Sequence, residues 1–151
     1  MVNLRPVTTE DAANLAQLEA RIFETDAWPE ADIAGMLGVP NVYGMAAAID
    51  GEDLGYGLLQ VAPKAVADIL TIGVVPEARR KGVAEAVLKA MFEKAKEHEV
   101  PSVFLEVRAS NKAAHAFYEK HGAKVAGKRP GYYRAQEGLP AEDALVYQFS
   151  L

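Results

Sequence analysis

The sequence predicts an α/β (α+β) protein: one domain with a mixed central sheet of about seven strands and about four helices. Three observations carry that expectation. Strand-like apolar stretches alternate with helical patterns in the order β-α-α-β-β-β-α-β-α-β-β along the 151 residues. A strand, a short basic turn, a glycine and a long amphipathic helix follow one another directly between Ile69 and Ala95. No internal repeat, low-complexity tract or linker divides the chain, so residues 1–151 are expected to share one core.

Each element has a local reason. Val2 to Arg5 reads as a strand stopped by Pro6, and Thr8 with Asp11 is spaced as a capping box. Leu15, Leu18 and Ile22 then recur at helical spacing. Pro29 suits the first turn of a short second helix, which Gly38 and Pro40 end. Val42 to Ile49 is apolar enough for a buried strand, and Asp50-Gly51 is a hairpin signal leading into a strand over Leu54 to Val61. Pro63 separates it from the apolar, β-branched strand Ile69 to Val75. The helix after the basic turn carries Val83, Val87, Leu88, Met91 and Ala95 on one face. Pro101 precedes a strand over Ser102 to Arg108, whose alternation sets Val103, Leu105 and Val107 against Phe104, Glu106 and Arg108. Asn111 to Lys120 reads as a helix closed by Gly122, and Ala144 to Leu151 as the final strand.

Composition narrows the function classes. The chain is 50% hydrophobic and 25% charged, so it is an ordinary globular sequence. Its net charge of -5 argues against nucleic acid as a partner and suits a cationic amine or basic peptide. With no cysteine, disulfides, thiolate zinc sites and cysteine nucleophiles are excluded, and no metal is expected. No signal-peptide core opens the chain and no apolar run is long enough for a bilayer. The expectation is a cytoplasmic monomer or weak homodimer with no membrane partner. His98, His115 and His121 form no cluster and read as surface residues, and no serine lies in a nucleophile-elbow string.

The most informative string is Arg79-Arg80-Lys81-Gly82-Val83-Ala84. Strand, turn, glycine and helix start aim backbone N–H groups and the positive end of a helix dipole at one place, which suits phosphate. Gly82 lets the backbone approach a ligand, Ala84 keeps the first helical turn small, and Arg79, Arg80 and Lys81 add charge. The plainer alternative is a helix start with a solvated basic turn. A Walker loop is absent, and Gly55-Tyr56-Gly57 lacks the third glycine of the dinucleotide fingerprint because Gln60 stands there.

The remaining pattern, Arg-x-x-Gly-x-Ala, resembles the pyrophosphate signature of the GCN5-related N-acetyltransferases (GNAT), which holds the diphosphate of coenzyme A. Leu105-Glu106-Val107-Arg108-Ala109-Ser110-Asn111 followed by Ala116-Phe117-Tyr118 resembles the RimI-like branch of that family, the bacterial ribosomal-protein alanine N-acetyltransferases. The resemblance spans nearly the whole chain, is tightest from Ile69 to Tyr118, and returns at Gly131-Tyr132-Tyr133 and Glu142-Asp143-Ala144.

The resemblance implies splayed strands forming an acetyl-CoA cleft, with acetyl-CoA as cosubstrate. It implies Glu106 as general base and Tyr118 as general acid, Asn111 as a cofactor contact, and Ile72, Gly73 and Val74 as the strand whose backbone pairs with the pantetheine arm. Trp28-Pro29 and Tyr132-Tyr133, the latter expected in a loop before the last strand, would border the acceptor groove. The implied acceptor is a protein N-terminal amine, foremost alanine of the eighteenth small-subunit ribosomal protein, attacked directly in a ternary complex. The chain departs from the family in having Ala27 before and Pro29 after Trp28, and Ala123 where an aromatic is frequent.

Other readings of these residues stay open. Glu106 could be a salt-bridge partner of Arg108, Tyr118 a core residue, Asn111 a helix cap, and Trp28 a hydrophobic anchor. The activity could be directed at lysine side chains or small amines, or the fold could serve as a coenzyme-A-binding sensor without turnover.

Overall fold

The computed structural model describes residues 1–23, 26–135 and 138–151. Its elements run β1 (Asn3–Val7), α1 (Ala12–Ile22), α2 (Glu30–Leu37), β2 (Val42–Ile49), β3 (Glu52–Ala62), β4 (Val66–Val74), α3 (Val83–Glu97), β5 (Ser102–Arg108), α4 (Lys112–Lys120), β6 (Lys124–Tyr133) and β7 (Glu142–Ser150), with short 3-10 turns at Thr9–Asp11 and Pro76–Ala78. This is the order expected from the sequence. The Thr8–Asp11 capping box is present, but it caps the 3-10 turn leading into α1. Pro29 is the N-cap of α2 and lies just outside its first turn. Asp50 and Gly51 both have positive φ and join Ile49 to Glu52 as a two-residue hairpin.

The seven strands form one sheet in the order β1-β2-β3-β4-β5-β7-β6. All neighbours are antiparallel except β4 and β5, which α3 connects as a parallel crossover. The two faces are covered by different helices. A Cβ on Gly57 would sit 2.3 Å from Met91 of α3, and one on Gly73 would sit 2.5 Å from Ile22 of α1. Gly57 pairs with Ile72, the neighbour of Gly73, so α1 and α3 lie on opposite faces. α4 joins α3 on its face, since Tyr118 and Phe92 both pack edge-on against Phe149.

The β4–β5 seam positions the site. These strands pair only at Ala67–Val103 and Asp68–Phe104. Beyond Ile69 they diverge, and a cleft opens through the sheet where groups from both faces can meet. No helix among the described residues is long and apolar enough to cross a membrane.

Candidate active site

The cleft has a volume of about 970 Å³. One wall comes from a single stretch of the chain. Ile72, Gly73 and Val74 of β4 line it, then Arg79, Arg80, Gly82, Val83 and Ala84. Arg80 and Gly82 have φ of 66° and 79°, the left-handed conformation that recurs in anion-binding backbone nests. Gly82 is the N-cap of α3 and offers no side chain to its first turn. The first backbone bond of that helix runs from Ala86 N–H to the Gly82 carbonyl, 3.1 Å, which leaves the earlier N–H groups for a ligand. A Cβ on Gly82 would meet nothing within 4 Å, so the space before the helix is open. A diphosphate fits this arrangement. Lys81 is exposed and falls outside the lining, while Arg79 also braces the turn by donating from Nε to the Val74 carbonyl at 3.3 Å.

The opposite wall brings Glu106, Asn111 and Tyr118 to the same opening. β5 alternates as expected, with Val103, Leu105 and Val107 buried and Glu106 half-buried on the other side. The partner of Glu106 is Arg129 of β6, whose Nε lies 3.2 Å from Oε1. The alternative pairing with Arg108 does not occur, because that side chain turns to Asp26 and Glu142 instead. Asn111 does cap α4, accepting from Ala114 N–H at 3.1 Å, and lines the cleft as well. Tyr118, on α4, is 8% exposed and faces the cavity from the other side of the sheet. Burial, reinforced by nearby Tyr133, pushes its phenol well above the ordinary value. Tyr118 is thus both a core residue and a cleft residue.

α4 is fixed by a contact the sequence reading missed. His115 is half-buried, with Nδ1 2.7 Å from the Tyr147 hydroxyl and Nε2 3.0 Å from the Ala109 carbonyl. His98 stacks against Tyr43 and His121 against Phe117, both half-buried, so none of the three is a simple surface residue.

The end of the cleft near Trp28, Tyr132 and Tyr133 is built from side chains. Arg108 holds Asp26 with two bonds of 2.8 Å from Nε and one terminal nitrogen, and its other terminal nitrogen holds Glu142 at 3.0 Å. Its guanidinium also lies over the Tyr133 ring at 4.1 Å. Burial pushes the Tyr133 phenol up to about 12. Glu142 accepts from Ser110 N–H at 2.7 Å, and its bonds to Ser110 and then Arg108 hold its carboxyl below the usual carboxylate value. Tyr132 and Tyr133 sit edge to face at the end of β6, so they belong to a strand and not to the expected loop. Trp28 is half-buried, packs against the core and lines the cleft. Its N–H donates to Glu19, a buried carboxylate of α1. The sequence reading passed over Glu19, Asp26 and the cleft role of Arg108. Glu19 had a signal: it stands within the 15, 18, 22 apolar stripe of its helix, where a carboxylate is costly.

The sequence profile of the acetyltransferase (GNAT) family matches residues 9–123. The N-alpha-acetyltransferase RimI of Mycobacterium tuberculosis is 33% identical over 137 residues, covering 88% of this chain and 85% of its own length. The [ribosomal protein bS18]-alanine N-acetyltransferase of Escherichia coli is 38% identical over 80 residues, 53% of each chain. The crystal structure of the ribosomal-protein-S18-alanine N-acetyltransferase from Escherichia coli superposes with a TM-score of 0.88 at 27% identity, covering 99% of this chain and 94% of that one.

Proposed function

The chain belongs to the GNAT family and is an acetyl-CoA-dependent N-acetyltransferase, and within that activity we propose that its acceptor is a protein N-terminal α-amine, foremost the N-terminal alanine of ribosomal protein bS18. The observation that carries the reading is one cleft lined together by Glu106 and Tyr118, by the turn and helix start at Arg79–Ala84, and by Trp28, Tyr132 and Tyr133. Relatives named for that acceptor support it.

The cradle at Arg79–Ala84 holds the diphosphate, and the freed edge of β4 at Ile72–Val74 holds the pantetheine arm. Bound acetyl-CoA supplies the thioester. Glu106 takes a proton from the acceptor ammonium, directly or through an oriented water, so that the neutral amine attacks in a ternary complex. An α-amine, with an ordinary pKa of about 8 against about 10.4 for lysine, is the easier acceptor to deprotonate. Tyr118 donates its phenolic proton to the departing thiolate, which leaves as the free thiol. Trp28, Tyr132 and Tyr133 border the first residues of the acceptor.

The test is thiol release from acetyl-CoA with three acceptor sets: the bS18 N-terminal peptide, the same peptide blocked at its N terminus, and free lysine with polyamines. The proposal expects turnover with the first only. Turnover with the blocked peptide or with polyamines, and none with the free N terminus, contradicts it.

A further inference from the structure

Glu19 is the one buried charged side chain among the described residues, at 1% exposure. Its helix α1 otherwise turns Leu15, Leu18 and Ile22 into the core. An apolar residue would fill that position more cheaply, so the carboxylate must be held by what it bonds. Oε1 accepts from the Tyr56 hydroxyl of β3 at 2.5 Å and lies 3.4 Å from the Thr71 hydroxyl of β4. Oε2 accepts from the backbone N–H of Trp28 at 2.9 Å. One oxygen is therefore fixed to the sheet, and the other grips the segment that presents Trp28 to the cleft.

Residues 26–29 have no helix or strand of their own. Two residues from Trp28, Asp26 is held by Arg108 of β5, which also holds Glu142 of β7. The segment is thus fastened at two points, to opposite sides of the β4–β5 opening.

We propose that Glu19 is a positioning residue for the acceptor: it pins the Trp28 segment to the sheet and so fixes one wall of the acceptor groove. The proposal rests on the reading of Trp28 as part of that groove. It assigns Glu19 no contact with the reacting atoms.

Trp28 is the only tryptophan in the chain, so its fluorescence reads the segment without reference to any acceptor. Glu19→Leu fills the same stripe and cannot accept from Trp28 N–H. Glu19→Gln keeps an oxygen for that N–H, and its amide can donate to the Tyr56 and Thr71 hydroxyl oxygens. In Glu19→Leu, Trp28 emission should shift to the red and its quenching by acrylamide should rise about twofold. Its acceptor KM should rise about tenfold, with kcat and acetyl-CoA affinity within about twofold of wild type. Glu19→Gln should stay near wild type in every readout.

A folded Glu19→Leu protein with unchanged fluorescence and KM overturns the proposal. So does a parallel loss of acetyl-CoA affinity, the mark of a general packing role. Should Glu19→Leu fail to fold, Tyr56→Phe removes the hydroxyl that fixes Oε1, and the same pattern is expected at smaller amplitude; no change in fluorescence or KM there overturns it too. If the wild-type protein acetylates no N-terminal peptide, the acceptor reading falls, and the quenching comparison still decides whether Glu19 pins the segment.

Discussion

Along residues 72–84 the cleft is lined by a strand edge, a turn and a helix start that follow one another directly in the chain, whereas its other end draws Glu19, Trp28, Arg108 and Tyr133, with Glu142 behind Arg108, from five separate segments. The first wall works through backbone N–H groups and a glycine in the left-handed region. The second works through carboxylates, a guanidinium and aromatic rings, each held by the next. A backbone wall suits a ligand that never varies, such as a coenzyme diphosphate. A side-chain wall can be re-cut by single substitutions, which suits a ligand that varies. Substitutions in each should therefore fail in different ways.

The largest effects belong where the walls meet. Glu106→Gln keeps the shape and removes the base, so kcat should fall about 10²–10⁴-fold with acetyl-CoA affinity unchanged, and the deficit should shrink as rising pH deprotonates the amine. Tyr118→Phe should fall by a similar factor, read by single-turnover transfer on a preparation whose melting temperature matches wild type. Near wild-type rates would return Glu106 to its ion pair with Arg129 and Tyr118 to the core.

The backbone wall comes next. Gly82→Asp places a negative charge before the helix and should weaken acetyl-CoA binding roughly a hundredfold by calorimetry, about 2.7 kcal/mol. Gly82→Asn tolerates the same left-handed φ without the charge and should lose much less. Equal losses in the two variants would assign the effect to backbone strain. In neither should the acceptor KM move beyond about twofold.

The side-chain wall should give the complementary result. Arg108→Ala frees Asp26 and Glu142 and removes the contact under Tyr133, so the acceptor KM should rise about tenfold while acetyl-CoA affinity holds. Arg108→Lys cannot reproduce the paired bonds to Asp26 and should recover only part of the loss. An acetyl-CoA defect in either variant would dissolve the separation of the two walls.

The difference between the walls also explains what could be read from the sequence. A wall that is contiguous in the chain appears as a string, so the strand, basic turn and helix start up to Ala84 were legible; the alternation of β5 gave the face of Glu106, and its role came only from the family resemblance. Arg108 bonds partners 82 and 34 residues away, and no local pattern announces such pairs. β6 was expected by order but not located. It is an edge strand carrying Gly127, Pro130 and Gly131, and its register with β7 shifts twice, so neither alternation nor apolar patterning marks it. Glu19 was legible as an anomaly in an apolar stripe, but its partners on β3, β4 and the Trp28 segment exist only in the fold.

The smallest expected effect is a pH dependence of stability at the Arg108–Glu142 pair. The Glu142 carboxyl is held below its ordinary value by Ser110 and Arg108. Such a group stabilises fully above the unfolded-state value and loses that contribution as pH falls through the folded-state value. Wild type should melt higher than Glu142→Gln at neutral pH, and the difference should close in the acid range below the ordinary carboxylate pKa, about 4.3. A difference that persists unchanged at low pH would show that the charge on Glu142 is not what ties β7 to Arg108.

The central claim, transfer of acetyl to a protein N terminus, is tested most directly with one peptide that carries both kinds of amine. A bS18-derived peptide with a free N-terminal alanine and an internal lysine is incubated with the wild-type enzyme and acetyl-CoA, and the product is sequenced by tandem mass spectrometry. The account predicts a single acetyl group on the α-amine of alanine, with the lysine unmodified. An acetyl group on the lysine ε-amine, with the N terminus still free, would contradict it.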